Sequence, residues 1–581
     1  MTSRRNFLKC AAVAVPAIQL EACGGGEATP EVVEWPIARD VYTTAEQQIC
    51  PVGLAANTPP LNANDLPYSQ HGYNTWTRQP GLKHQKLQAL APAYTAAPNV
   101  ARLLTFFSIS DIHITDKESP AQPLYFGWSA PFGAPTSDGS AYSPVIVSGP
   151  HVLDAAIQTV NALHQRTPFD FGISLGDDAD NTQYNELRWF IDVMDGKVIT
   201  PSSGKHLGAD TVDYQRPFKA AGLDKDIRWY QVVGNHDQFW KGSWYENTKT
   251  MAAHIGTGVM NMGPAPDSAT TGINGTGYYV GVVDGSTALG LVVKSGPVSR
   301  YHEVPQVAAD PDRRSLATPT SSTANWMREF FTTTSLPVGH GFTQDNLDRD
   351  SACYSFHPKS TVPIKVIVLD DTMKGPDATQ YARACLDLPR LEWLSGELEE
   401  GQRNDKLMII AAHIPVNPQQ TLDPASGNFS LFAAPSLVTD AQVLELLHRF
   451  PNLILWISGH RHVNVVTPQP FNAKDPSVEP ERNFWEVETA SLRDFPQHLR
   501  TFDIRRNADG TISIVVTNVD PAVAPGSPAA HSRDYAVGAS RIFGATSQSI
   551  GDATSHACNA ELVLQLTPRM RDVVAGLGSP L

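Results

Sequence analysis

Short apolar runs break off, again and again along this chain, into loops that carry Asp, His or Asn. Trp229, Tyr230, Gln231, Val232 and Val233 lead into Gly234, Asn235, His236 and Asp237. A buried strand whose carboxyl end opens into polar chemistry has this form. Glycine permits the sharp exit, and three side chains able to bind a metal or carry a proton follow. One such tetrapeptide is as readily a polar turn as a site. Recurrence is what constrains the fold. The run 103–110 ends at Asp111 and His113, and 169–175 ends at Gly176, Asp177, Asp178 and Asp180. The run 407–412 delivers His413, and 453–458 leads to Gly459, His460, Arg461 and His462.

Helical patterns separate these runs. Residues 151–164, with Val152, Ala155, Ala156, Val160 and Leu163 near one face, predict a helix, as do 183–194, about 391–400 and about 440–449. A further apolar strand is expected at 364–369, before Asp370 and Asp371. Strands alternating with helices predict an α/β layered domain, with its chemistry at strand carboxyl ends. Toward the end, 484–492, 500–505 and 511–518 read as antiparallel strands, with Asn507, Ala508, Asp509 and Gly510 as a turn.

The chain divides into four stretches. Residues 1–30 hold Arg4 and Arg5, then a modestly apolar run from Cys10 to Leu20, the pattern of a twin-arginine export signal. That run is too short to span a bilayer. Leu20, Glu21, Ala22 and Cys23 resemble a lipoprotein cleavage box, so Cys23 is either acylated or lost with simple cleavage and release. Residues 31–100, rich in Pro, Ala, Thr and Asn, read as an extended N-terminal arm. Residues 101–520 form the main domain, with a loosely patterned insertion at about 240–360 in which 275–285 and 289–294 predict a hairpin or small sheet. Residues 521–581 read as a tail with a short helix-like segment near 559–574. No later segment reads as a membrane span, so the expected location is periplasmic or extracellular, with membrane contact only through a lipid on Cys23.

With 581 residues, 41% hydrophobic and 18% charged, the chain can bury a large core. Its formal net charge of -15 argues against general nucleic-acid binding, which needs a basic face. It does not exclude an anionic substrate, since bound metal supplies local positive charge. Cys50, Cys353, Cys385 and Cys558 lie beyond the signal and lack C-x-x-C spacing, which argues against a cysteine-rich zinc site. One or two disulfides are compatible with an oxidising compartment.

Taken in order, D-x-H at Asp111 and His113, G-D-x-x-D at 176–180, G-N-H-D at 234–237, the lone His413 and G-H-x-H at 459–462 resemble the motifs of calcineurin-like metallophosphoesterases. The resemblance covers roughly 101–520. It implies a four-layer α/β/β/α sandwich with two mixed sheets, two metal ions (Mn, Fe or Zn) and hydrolysis of phosphate mono- or diesters by in-line attack of a metal-bridging hydroxide. Asp177 would bridge the metals, with Asp111, His113 and His462 completing one site and Asn235, His413 and His460 the other. His236 would lie beside the phosphate as the proton-handling residue, and Asp237 would orient its imidazole. Asp180 stands where purple acid phosphatases carry a metal-binding tyrosine, so a purple iron centre is not implied.

The chemistry agrees with those residue types. Ester hydrolysis near neutral pH needs an activated nucleophile and charge neutralisation on the phosphoryl oxygens, which two cations about 3.5–4 Å apart provide. Imidazole and carboxylate suit Zn, Fe and Mn. On extended strand ends, the period of two would place Asp111 with His113, and His460 with His462, on one side. Arg461 would point elsewhere in a structural role. Asp180 is either support for Asp177 or a surface cap, and Asp178 reads as a loop residue. The expected partners are a phosphate ester and the twin-arginine export machinery. The rival reading is a metal- and phosphate-binding protein of the same fold with little turnover.

Overall fold

The computed structural model describes residues 31–581 except 126–141, 205–211, 243–245, 263–276, 317–322, 373–385, 417–437 and 544–558. Arg4, Arg5, Cys23, Cys385 and Cys558, and with them the expected signal and lipid site, lie outside the described residues, as does the start of the hairpin expected from 275.

Two mixed sheets organise the α/β architecture. Among the described residues the larger has eight strands. Its order is Gln85–Leu87, Ala560–Leu564, Ile512–Val519, Leu499–Asn507, Asn99–Ile109, Phe171–Ser174 and Trp229–Gln231, with Ser579–Pro580 paired onto Asn99–Ile109. Asn99–Ile109, Phe171–Ser174 and Trp229–Gln231 run parallel. The second sheet has, among the described residues, six strands in the order Tyr354–Phe356, Ile364–Leu369, Leu407–Ala412, Leu453–Ser458, Phe484–Glu488 and Val465–Gln469. Its four inner strands are parallel, and the outer two are antiparallel.

Near-continuous apolar runs explain why the parallel strands are buried on both faces. Side chains alternate between faces along each strand. In the six-stranded sheet Val366, Val368, Ile409, Ala411, Leu455 and Ile457 share one cluster with Leu104, Phe106 and Phe502 of the larger sheet. The intervening Ile367, Leu369, Met408, Ile410 and Trp456 join Leu394 and Leu398 of the helix Leu388–Arg403 and Leu446 and Leu447 of the helix Asp440–Leu447. Phe106 lies between Phe171 and Phe502, with ring centroids 4.7 and 4.5 Å away. Burying a side chain of this size contributes about 1.5–3 kcal/mol.

The helices start and stop where local chemistry dictates. Gly149–Arg166 ends before Thr167 and Pro168, because a residue preceding proline is pushed out of the helical region. Asp387 caps Leu388–Arg403 by accepting from the Arg390 N–H at 3.0 Å. Buried Lys365 docks that helix onto its strand through Glu397 and Glu400, each 2.7 Å away.

Several expectations shift in detail. The expected helix-like segment near 559–574 is instead the strand Ala560–Leu564 followed by the helix Pro568–Val574. Pro568 opens that helix, and Thr567 caps it from the Met570 N–H at 3.1 Å. The helix Pro528–Ile542, unforeseen, buries small residues such as Ala529, Ala536 and Ala539, which make a weak periodic signal. Within the insertion, Tyr278–Val282 pairs antiparallel with Val293–Pro297 and with Asn261–Met262, so the second strand lies later than expected. The insertion docks on the loop after His113 through the Met260 N–H to Pro120 O (2.8 Å) and the Val283 N–H to Lys117 O (2.8 Å). Cys50 and Cys353 are both buried.

Candidate metal centre

Every expected site residue sits in a loop at the carboxyl end of a parallel strand, and the two sheets bring these ends together. The Asp111 N–H donates to Gly176 O (3.0 Å) and the His113 N–H to Asp177 O (2.9 Å), which ties the first two loops. The His460 N–H donates to the Asp111 carboxylate at 3.0 Å, which ties the last loop to the first.

Backbone conformation corrects the expectation of extended strand ends. Asp111, His113, Asp177, His460 and His462 all have φ between 46° and 70°. It is this left-handed backbone, and not the alternation of a strand, that turns the side chains inward. Such residues concentrate at functional sites, where surrounding contacts sustain the strain. Close approach also explains two glycines. A Cβ on Gly234 would strike Asp177, and one on Gly459 would strike Ser110 and Asp111.

The nitrogen and oxygen atoms form three close groups, each within 4.8 Å: Asp111, His113 and His462; Asp177, His413 and His460; and His113, Asp177 and His236. Asp177 Oδ2 lies 3.2 Å from His413 Nε2 and 3.6 Å from His113 Nε2, between the first two groups. Asn235 Oδ1 lies 3.0 Å from His413 Nε2 and 3.1 Å from His460 Nδ1. The Asn235 amide nitrogen donates to Gly242 O at 3.0 Å, which fixes Oδ1 toward the histidines.

This donor set fits cations. His413 Nδ1–H donates to Leu175 O at 2.8 Å, so a neutral ring turns a bare Nε2 toward Asn235, Asp177 and His460. His462 Nδ1 faces Asp494 Oδ2 at 2.6 Å, and its Nε2 lies 3.0 Å from His113 Nε2. Facing lone pairs repel unless a positive charge stands between them. The surrounding carboxylates favour such a charge: against burial, which lowers both, Asp177 and its neighbours raise His413 to about 10, and Asp111 raises His462 to about 10. Burial alone would raise the Asp111 carboxyl, but His462 and His113 hold it well below the usual range. Burial and the neighbouring His413 push His460 down to about 3. Asp111, His113 and His462 can hold one cation, and Asn235, His413 and His460 another, with Asp177 shared.

The remaining expected residues sort differently. Asp237 does not orient His236. Its carboxylate accepts the backbone N–H groups of Asp177 (2.9 Å), Asp178 (3.1 Å), Ala179 (3.2 Å) and Gly234 (2.9 Å), clamping two loops together. His236 is oriented by Asp180 instead: Nδ1–H donates to Asp180 O at 2.9 Å, with Asp180 Oδ1 at 3.3 Å. Asp180 is fully buried and also lies 3.3 Å from His113 Nδ1, so it supports two imidazoles and is no surface cap. Asp178 lies in the loop after Phe171–Ser174, as expected, but it is buried and accepts from Ser174 Oγ (2.6 Å) and Gln231 Nε2 (2.5 Å). Arg461 pairs with Glu488, with Nε 2.6 Å from Oε2, the expected structural role.

Sequence reasoning missed Asp494 and the loop that carries it. Ala490 and Leu492 prolong the apolar pattern of Phe484–Glu488 and hide the strand end. In fact Ser491 Oγ donates to Asp111 O at 2.7 Å, and Arg493 and Asp494 follow at the site.

The protein is thus of mixed α/β architecture, with a buried His/Asp cluster compatible with two metal ions. No family model and no curated protein matches the chain. Among solved structures, a dimetal phosphatase from Danio rerio is similar at 11% identity and a TM-score of 0.31, covering 73% of this chain and 99% of that one.

Proposed function

We propose that the chain is a dinuclear-metal phosphoesterase that hydrolyses phosphate mono- or diesters, built as a four-layer α/β/β/α sandwich. One observation carries the reading. Asp177 Oδ2 stands 3.2 Å from His413 Nε2, whose Nδ1 is held by the Leu175 carbonyl, and 3.6 Å from His113 Nε2, whose neighbour His462 is held by the Asp494 carboxylate. Such outer partners orient metal-binding imidazoles. Bound cations of the Mn, Fe or Zn type would neutralise charge on the phosphoryl oxygens and activate water.

The chain's own residues supply the rest. His236, 17% exposed at the edge of the cluster, has Nδ1 engaged by Asp180, which leaves Nε2 to handle a proton. Burial lowers the basicity of this imidazole. An arriving phosphate would raise it, because a nearby negative charge favours the protonated ring. Proton transfer from Nε2 to the leaving oxygen then accompanies ester cleavage. The Asp237 clamp holds Asp177 and Asn235 in register.

Export by a twin-arginine signal, a periplasmic or extracellular location and a lipid on Cys23 belong to the same reading, which the motif at residues 4–9 supports. The test is hydrolysis of an aryl phosphate with Mn added, by the intact protein and by Asp177→Asn. Loss of turnover in the variant is expected. Equal activity in the two removes the mechanism.

A further inference from the structure

Beside His236, on the side of Asp180, two fixed cations converge on one carboxylate. Lys241 Nζ lies 2.7 Å from Asp180 Oδ2, and Arg493 Nη1 lies 3.6 Å from Asp180 Oδ1. Both come from loops that bear site residues: Lys241 lies four residues after Asp237, and Arg493 adjoins Asp494. Lys241 sits in a left-handed backbone conformation, with φ 50°, and its N–H donates to Asn181 Oδ1 at 3.2 Å. Oδ2 of Asp180 also accepts from Gln122 Nε2 at 2.7 Å, so Lys241 shares that oxygen with an amide.

The cations, in contrast, keep donors in reserve. Arg493 is only 7% exposed, yet its guanidinium makes no hydrogen bond among the described residues, and its Nε is buried without a partner. An arginine offers five N–H donors and a lysine three. Asp494 also lies within the field of Arg493, so it is the unfilled donors of Arg493 and Lys241, and not a surplus of charge, that favour an entering anion. His236 touches the same carboxylate, so an anion drawn here lies against its imidazole.

We propose that Arg493 and Lys241, braced on Asp180, are the positioning pair that receives the terminal phosphate of a phosphomonoester. This rests on the phosphoesterase reading and narrows it to a substrate class. A terminal phosphate carries about two negative charges and three free oxygens, which suits a planar guanidinium fork beside an ammonium. A diester offers one charge and two free oxygens, and its second organic group would have to occupy the place of the third oxygen.

The experiment compares wild type, Arg493→Gln and Arg493→Lys, each loaded with Mn. It measures kinetics on an aryl phosphomonoester and a bis-aryl phosphodiester, and binding of inorganic phosphate by calorimetry. In Arg493→Gln the phosphate dissociation constant and the monoester KM should rise about tenfold or more, as expected for a lost charge-assisted bond. The diester KM should rise less, and Arg493→Lys should recover part of the loss. Equal rises for both esters, or unchanged phosphate binding, would overturn the pair. A wild type that cleaves neither ester removes the phosphoesterase reading and with it the substrate class, whereas phosphate binding lost in Arg493→Gln would still support the anion pair. Should Arg493→Gln lose its thermal transition, Lys241→Gln carries the same measurements.

Discussion

Asp494 Oδ2 lies 2.6 Å from His462 Nδ1, on the far side of that imidazole from His113. The carboxylate keeps the proton on Nδ1 and aims the Nε2 lone pair at the space shared with His113 and Asp111. Asp494→Asn should therefore weaken one cation by about 10- to 100-fold and leave the other in place. Chelator competition followed by metal analysis reads this directly. Equal loss of both cations, or of neither, would contradict the arrangement.

His236 touches Asp180 and packs edge-on against His113, with ring centroids 4.4 Å apart, but its Nδ1 is taken. Its replacement by Gln should lower kcat by about 100- to 10,000-fold while both metals remain bound. Loss of a metal instead would make His236 a ligand, as its grouping with His113 and Asp177 allows.

Asp237 gives a contrasting expectation. Its carboxylate serves four backbone N–H groups, so Asp237→Asn turns an NH2 toward donors and leaves buried groups unpaired. A loss of about 1–3 kcal/mol in stability is expected. Thermal melting separates this from His236→Gln, which should leave the melting temperature nearly unchanged.

Legibility in the sequence followed physical scale. The parallel strands and their terminal Asp, His and Asn residues were legible because each buried run is apolar without interruption and each exit is marked by Gly or a polar residue. The inward aim of His113 and His462 was expected from strand alternation, but left-handed backbone achieves it, and no pattern in residue type announces that conformation for Asp or His. The role of Asp237 was misread because its partners are backbone groups, which sequence does not display. Asp494 was hidden by the neighbouring Leu492, and the helix Pro528–Ile542 by its small residues. The partner of Lys241 could not be read either, since it lies 61 residues away along the chain.

Away from the cluster, His340 stacks on Trp229 with centroids 3.5 Å apart and donates Nδ1–H to Trp229 O at 3.1 Å. Burial lowers it from 6.5 to about 3 despite that hydrogen bond. With the folded value below the unfolded one, the unfolded chain binds the extra proton between them. The stabilisation is therefore complete above pH 6.5 and is lost as pH falls toward 3. The slope approaches 1.4 kcal/mol per pH unit, roughly, for this one group. Denaturation midpoints between pH 7.5 and 5 should fall less steeply in His340→Asn than in wild type, and identical slopes would refute this.

Anomalous diffraction from crystals of the Mn-loaded protein tests the central claim most directly. Two cations are predicted, one on each side of the Asp177 carboxylate, one held by Asp111, His113 and His462 and the other by Asn235, His413 and His460. A single ion, or ions bound away from Asp177, would contradict it.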